Sequence, residues 1–193
     1  MIPEHTNLKG KRAQIIPLQK IHLNDLLEAG RNPDIWEHLQ MSVSNISEME
    51  NFINIALANK ENGTEFPFVV IDQALNKIVG STRFLDIRWN NKGLEIGSTW
   101  LNPTVWASDF NAECKYLLLK FCFEELKLIR IQFKTDNLNL RSQKAILKLG
   151  ASYEGTLRNH MIRRNGTFRH SVYFSIIVEE WAEIKSSLEK KLY

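Results

Sequence analysis

Between Leu94 and Asn139 the chain spells a strand, a tight junction, an amphipathic helix and a second strand, followed by an Asn that opens another helix. Leu94-Glu95-Ile96-Gly97-Ser98-Thr99-Trp100-Leu101 is rich in aromatic and β-branched residues, and Asn102-Pro103 stops it because proline cannot continue a ladder. Ser108, Asp109 and Asn111 are N-cap residues for a helix that begins near Ala112. Its apolar positions Cys114, Leu117, Leu118, Phe121 and Cys122 follow the spacing of one buried face, and Glu113, Lys120, Glu124 and Lys127 fall on the opposite stripe. Ile131, Phe133 and Thr135 then alternate with Arg130, Gln132 and Lys134 as the next strand. Such a strand-helix-strand unit makes a parallel crossover. The free amides and positive dipole end of its first helical turn suit a phosphate at the strand's carboxyl end, which points to a nucleotide-like cofactor.

The flanking segments decide what surrounds this crossover. Arg12 to Leu18 reads as a short strand, Asn24 caps a helix through Ala29, and Pro33 after Asn32 opens a short helix through Leu39. Ser47-Glu48-Met49-Glu50 reads as a capping box for a helix that buries Met49, Phe52, Ile53, Ala56 and Leu57. Phe66 to Asp72 and Lys77 to Arg88 are strands, and the Asn90-Asn91-Lys92-Gly93 turn leads into the Leu94 strand. After the crossover a helix runs from Asn139 to Gly150 with Ser142, Ala145, Ile146 and Leu149 on one face. Strands Tyr153 to Arg163 and Phe168 to Val178, joined at Asn165-Gly166, close the chain. Antiparallel strands on both sides of one parallel crossover predict an α+β (mixed α/β) fold. Its central sheet is mixed but mostly antiparallel, with about six to seven strands and helices on both faces.

With 193 residues and 44% hydrophobic content, the chain reads as one domain spanning residues 1–193. Its 25 basic and 22 acidic residues leave a net charge of +3, and no basic run exceeds Arg163-Arg164, so no nucleic-acid partner is expected. Cys114 and Cys122 are separated by two helical turns, roughly 12 Å, too far for a disulfide. The five histidines form no i, i+4 pair and neither cysteine has metal spacing, so no metal site is proposed. Neither a leader nor a membrane span is legible, and a cytoplasmic protein is expected.

The order of elements resembles the GNAT superfamily of acyl-CoA N-acyltransferases, closest to the branch that acetylates ribosomal-protein N-termini. The resemblance covers nearly the whole chain. Val79-Gly80-Ser81-Thr82-Arg83, Leu94-Glu95-Ile96-Gly97, Trp106 to Lys115, Lys134-Thr135-Asp136 with Asn139 and Ser142, Lys148-Leu149-Gly150-Ala151, Glu154-Gly155 and Leu157-Arg158-Asn159-His160-Met161 carry it. It implies acetyl-CoA as co-substrate and an amine acceptor, by direct transfer without a covalent enzyme intermediate, and it is compatible with a homodimer. By the same resemblance the backbone of Ser98, Thr99, Trp100 and Leu101 would bind the pantetheine arm like an added strand. Ala107, Ser108, Asp109, Phe110 and Asn111 would hold the pyrophosphate, and Asn139 and Ser142 would flank the arm near the thioester.

One departure concerns the phosphate loop, where the family carries Q/R-x-x-G-x-G/A and this chain has Thr104, Ala107 and Asp109. Glycine tolerates positive φ and close approach to phosphate, whereas the Asp109 carboxylate repels pyrophosphate or caps the helix. Glu95 is the first candidate base, as a carboxylate raised in pKa by an apolar cleft, and His160 is the second. Ser142 is the candidate donor to the leaving thiolate or, more simply, the N3 residue of a helix capped by Asn139. Arg141 and Lys144 either meet phosphates or form a solvated helix face, and Trp36 either lines the acceptor cleft or belongs to the core. The acceptor, a peptide N-terminus ahead of a small-molecule amine, is expected to enter between the helix carrying Trp36 and the Asn165-Gly166 hairpin. A non-catalytic acyl-CoA-binding module is the alternative that the missing glycines raise.

Overall fold

The computed structural model describes residues 1–193, and its eight strands join one sheet in the order β1-β2-β3-β4-β5-β6-β8-β7. The strands are β1 (Leu8–Lys9), β2 (Ala13–Pro17), β3 (Phe66–Asp72), β4 (Lys77–Arg88), β5 (Gly93–Leu101), β6 (Arg130–Asp136), β7 (Ser152–Ile162) and β8 (Phe168–Ile177). The helices are α1 (Leu23–Ala29), α2 (Ile46–Glu61), α3 (Phe110–Lys120), α4 (Leu140–Lys148) and α5 (Val178–Leu192), and α3 runs on into one π-type turn at Phe121–Glu125. Every neighbouring pair is antiparallel except β5 and β6, the crossover expected from the sequence. The sheet exceeds the expected six to seven strands by β1, whose two residues are too few to show a period. No helix is long and apolar enough to cross a membrane.

Two apolar layers sandwich the sheet. On one face, α1 and α2 lie over β4 and β3, with Leu26, Trp36, Met49, Phe52 and Ile53 packed on Val69 and Trp100. On the other, α3, α4 and α5 cover Leu94, Ile96, Ile131, Phe133 and Phe174 with Cys114, Leu118, Ile146, Trp181 and Leu188. Trp36 is 2% exposed and its indole donates to the Gly30 carbonyl at 2.8 Å, so it is core and does not line a cleft. Both cysteines are free and buried, and desolvation pushes the Cys114 thiol up to about 12.

Local chemistry moved several boundaries. α2 is capped by Asn45, whose Oδ1 accepts from the Glu48 amide at 3.0 Å, two residues before the expected capping box at Ser47. Glu48 turns back past the cap to accept from the amide and hydroxyl of Ser44, at 2.7 and 2.9 Å. A 3-10 turn at Lys20–His22 starts α1 one residue ahead of Asn24, and the Pro33 segment is a 3-10 turn that ends at Trp36, short of Leu39. The largest omission is α5. Trp181, Ile184, Leu188 and Leu192 repeat at helical spacing, and Trp181 stacks on Phe123 with ring centroids 5.2 Å apart.

Glu113 reverses its expected place on the solvent stripe of α3: it is 5% exposed. Its carboxylate accepts from the amides of Lys11 at 2.6 Å, Arg12 at 3.1 Å and Ala13 at 2.8 Å, and from the Tyr193 hydroxyl at 3.2 Å. The turn between β1 and β2 wraps this carboxylate so closely that a Cβ on Gly10 would stand 2.6 Å from Glu113 Oε1. One acidic side chain therefore ties the first hairpin and the last residue to the crossover helix. Glu113→Ala leaves buried amides unsatisfied at roughly 1–3 kcal/mol each, so a loss of about 3 kcal/mol in urea unfolding is expected. A change within the spread of surface substitutions, about 0.5 kcal/mol, would show that the turn finds other partners.

Candidate active site

The parallel pairing of β5 with β6 lasts for three positions only, Gly93 with Arg130, Leu94 with Ile131 and Glu95 with Gln132. Beyond Glu95 the two strands part, so the β6-facing edge of Gly97 to Leu101 is left without a strand partner inside the sheet. β5 is also bulged there. Its register against β4 jumps between the pairs Arg83–Gly97 and Ser81–Trp100, and Ser98 at the jump has φ 48. A left-handed non-glycine residue costs about 1–2 kcal/mol, and such strain persists where the surroundings impose it, often at functional sites.

The mouth of this cleft is built by the loop after β5. Asn102 fixes it, donating to the Ala29 carbonyl at 2.9 Å and accepting from Thr104 N at 3.0 Å. The Trp106 indole donates to the Leu101 carbonyl at 2.7 Å, which leaves Ser98 to Trp100 as the stretch of edge not engaged by this loop. Ala107 has φ 53, the backbone conformation for which glycine is the usual choice, so the loop keeps the glycine-type turn with an alanine in it. Ser108 Oγ donates to the Val105 carbonyl at 2.7 Å and accepts from the Phe110 amide at 3.3 Å. The first helical bond of α3 is Glu113 N to Asp109 O, at 2.9 Å, so the Asn111 and Ala112 amides precede it and lack i−4 partners.

Asp109 stands at the N-cap position but does not cap: its carboxylate pairs with Lys191 of α5 at 2.8 Å, on the surface. Across the mouth, Asn139 Oδ1 caps α4 by accepting from the Ser142 amide at 2.9 Å, while the Ser142 hydroxyl makes no hydrogen bond within the chain. The Arg141 guanidinium lies 4.3 Å from the centre of the Trp106 ring. That contact joins the first turn of α4 to the loop, and so brings Asn139 and Ser142 to the same mouth as Ala107 to Asn111. Trp100 and Phe110, 3% exposed each, bury their side chains in the core and offer only backbone to the cleft.

At the fork, Glu95 is 3% exposed and accepts from Gln132 Nε2 at 3.0 Å, with Lys134 Nζ 3.3 Å away. The apolar surround expected for this carboxylate is therefore absent. Gln132, Lys134, Asp136, Ser171, Tyr173 and Ser175 make this face of β6 and β8 polar, on the side where α1 and α2 do not reach. Lys134 lies 5.9 Å from the Tyr173 ring, whose other neighbour is His160, 5.9 Å away ring to ring. His160 also meets Ser171 Oγ at 2.9 Å. Both candidate bases thus share one polar face, linked through Tyr173. Lys134 and Tyr173 were missed as site residues because each reads as the polar half of an ordinary alternating strand.

Beneath the bulge, the Lys115 ammonium donates to Thr99 Oγ1 at 2.6 Å, and Thr99 in turn contacts Thr82 Oγ1 at 2.7 Å. Lys115 is 6% exposed and has no carboxylate partner, and burial lowers its pKa from 10.5 to about 8. The sign follows from linkage. Below pH 8 the side chain is charged in both states and the burial cost is fully present; between 8 and 10.5 the unfolded chain binds more protons, so stability rises with pH. Lys115→Met is expected to stabilise the fold by about 2 kcal/mol at pH 7, with the gain closing toward pH 10.5 in paired urea titrations. A variant less stable than wild type at pH 7 would contradict the assignment.

The sequence and the fold as a whole are similar to those of known proteins. The family model of the acetyltransferase (GNAT) domain matches residues 12–152. The uncharacterized N-acetyltransferase p20 of Bacillus licheniformis is 25% identical over 171 residues, 86% of this chain and 95% of that protein. The crystal structure of a GCN5-related N-acetyltransferase from Brucella melitensis superposes with a TM-score of 0.91 at 25% identity, over 99% of this chain and 87% of that one. RimL, a ribosomal L7/L12 alpha-N-protein acetyltransferase, shares the fold with a TM-score of 0.80 at 15% identity, over 89% of this chain and 94% of its own. Since the family model spans most of the sequence, the forked sheet has a name: the chain belongs to the GNAT family and is an N-acetyltransferase.

Proposed function

We propose that this chain transfers the acetyl group of acetyl-CoA to a primary amine, with a peptide or protein N-terminus as acceptor, by direct attack of the amine on the thioester carbonyl. The observation that carries the reading is the three-position limit of the β5–β6 pairing, which leaves a strand edge beside a helix N-terminus. The edge from Ser98 to Trp100 would take the pantetheine arm as an added strand. Amides of the Ala107 to Asn111 loop and the α3 start would take the pyrophosphate, and Asn139 and Ser142 would flank the arm. Two features support this fit despite the altered loop: Ala107 adopts a glycine-type φ of 53, and Lys191 holds the Asp109 carboxylate at 2.8 Å, offsetting its charge.

Bound acetyl-CoA supplies the activated acetyl carbon. The residues of this chain manage the protons. Glu95, held by Gln132 and Lys134 at the fork, accepts a proton from the acceptor ammonium, directly or through water, so that a neutral amine can attack. The Ser142 hydroxyl, free of other hydrogen bonds, donates to the sulfur as the carbon–sulfur bond breaks. The acceptor reaches the fork over the polar face of β6 and β8, between the loop after Trp36 and the β7–β8 hairpin. Arg164 of that hairpin donates to the Trp36 carbonyl at 2.8 Å, so the two segments form one rim. The preference for a peptide N-terminus draws on the shared fold with RimL alone.

The decisive assay is release of free thiol from acetyl-CoA with N-terminal peptides, polyamines and aminoglycosides as acceptors. Turnover with peptides is expected; turnover confined to small amines would replace the acceptor, and none at all would overturn the reading. Ser142→Ala is expected to lower kcat by about tenfold while leaving acetyl-CoA affinity within about twofold, because the donated proton matters mainly in the transition state. Glu95→Gln should displace the pH-rate profile toward alkaline values, since the amine must then lose its proton to solvent. An unmoved profile transfers the role to His160.

A further inference from the structure

Two arginines in this protein take a carboxylate by the Nε–Nη2 edge. Arg12 grips Asp72 with Nε at 3.0 Å and Nη2 at 2.6 Å, and Arg163 grips Asp136 with Nε at 2.7 Å and Nη2 at 2.8 Å. Arg169 presents the same Nε–Nη2 edge to nothing. It lies on β8, on the polar face that carries Asp136, Lys134 and Glu95, and is 7% exposed. Its Nε is buried without a partner, and Nη2 makes no hydrogen bond within the chain. The opposite edge is fixed: Nη1 meets Gln40 Oε1 at 3.0 Å once the Gln40 amide is turned to donate to the Ile162 carbonyl at 3.1 Å.

The nearby carboxylates are both committed elsewhere. Asp136 is held bidentately by Arg163, and Glu95 by Lys134 and Gln132. Both add a favourable field at Arg169, yet neither forms an ion pair with it, and burial holds its pKa below the ordinary value. Leaving a buried guanidinium donor unsatisfied is costly, and the fork geometry of Arg matches a carboxylate with two parallel hydrogen bonds. The position is also informative. Arg169 is anchored through Gln40 to the segment after Trp36 and belongs to the hairpin opposite, which together form the acceptor rim.

We propose that the Nε–Nη2 edge of Arg169 binds a carboxylate on the acceptor, so that the acceptor class is a primary amine that also carries a carboxylate. The inference rests on the acetyl-transfer reading and narrows its substrate. Two sources supply this chemistry, a free amino acid and a peptide with an acidic side chain near its N-terminus. Thiol release is measured on matched pairs: amino acids against their amides, and peptides with Asp or Glu in the first positions against the same peptides with Asn or Gln.

The acid of one pair is expected to exceed its neutral partner by about tenfold or more in kcat/KM, about 1.4 kcal/mol, expressed mainly in KM. Which pair responds identifies the source. Arg169→Gln should bring that ratio close to one, and Arg169→Lys should retain part of it, while calorimetric affinity for acetyl-CoA is unchanged in both. The wild-type ratio stands as a test even where a variant folds poorly. Equal turnover of acid and neutral partners, or a preference that survives Arg169→Gln, overturns the proposal. Should no pair turn over, the same compounds are titrated into the acetyl-CoA-loaded protein, and absence of carboxylate-dependent binding overturns it equally. Turnover of amines without acid preference would sink this inference and leave acetyl transfer standing; failure to bind acetyl-CoA would sink the reading beneath it.

Discussion

Two parallel strands that stay paired for only three positions set the terms for the rest of this molecule. A parallel pair requires a crossover, and here α3 supplies it, with its N-terminus at the end of β5 and its body packed under both strands. Strand separation beyond Glu95 would strand backbone polar groups if the sheet were closed over by core. The protein instead opens the gap to a mouth lined by helix and loop amides. The antiparallel blocks on either side, β1 to β5 and β6 to β7, are each internally laddered, so the fork is confined to one seam.

Backbone strain and buried charge meet along that seam. Ser98 and Ala107, with φ of 48 and 53, flank the open edge, and the ladder to β4, Asn102 and the Trp106 indole impose these conformations. Lys115 lies under the bulge with only Thr99 as partner, and Glu95 lies at the fork with Gln132 and Lys134. Two buried carboxylates away from the seam are saturated. Glu113 collects the amides of the first turn, and Asp72 has Arg12. The contrast separates groups that hold the fold from groups left with donors or acceptors to spare.

Periodicity made the crossover legible, since strand, helix and strand each carried a full apolar stripe between Leu94 and Thr135. Caps were legible in part, with Asn139 standing where expected but Asn45 in place of Ser47, and long-range polar contacts were not legible. Glu113 looks solvent-facing by helical phase, and only the wrapping of Lys11 to Ala13 around it, about a hundred residues away in sequence, makes it a buried acceptor. α5 did leave a signal in Trp181, Ile184, Leu188 and Leu192, obscured by the strand pattern that runs directly into it at Ile177. Lys134, Tyr173 and Arg169 read as the wet side of alternating strands, because sequence does not reveal that a sheet face turns inward beside a fork. Ala107 shows the converse: the missing glycines raised a non-catalytic module, yet the backbone keeps a glycine-type turn at Ala107.

The central claim is that the open edge of β5 and the first turn of α3 bind one acyl-CoA molecule together. Amide hydrogen exchange of the protein with and without acetyl-CoA tests it at residue level. Saturating acetyl-CoA is expected to slow exchange at Ser98 to Trp100 and at Phe110 to Ala112 in the same titration, because strand-edge and helix-end amides acquire acceptors together. Saturable binding that leaves these two segments unprotected, or protects only one of them, would contradict it.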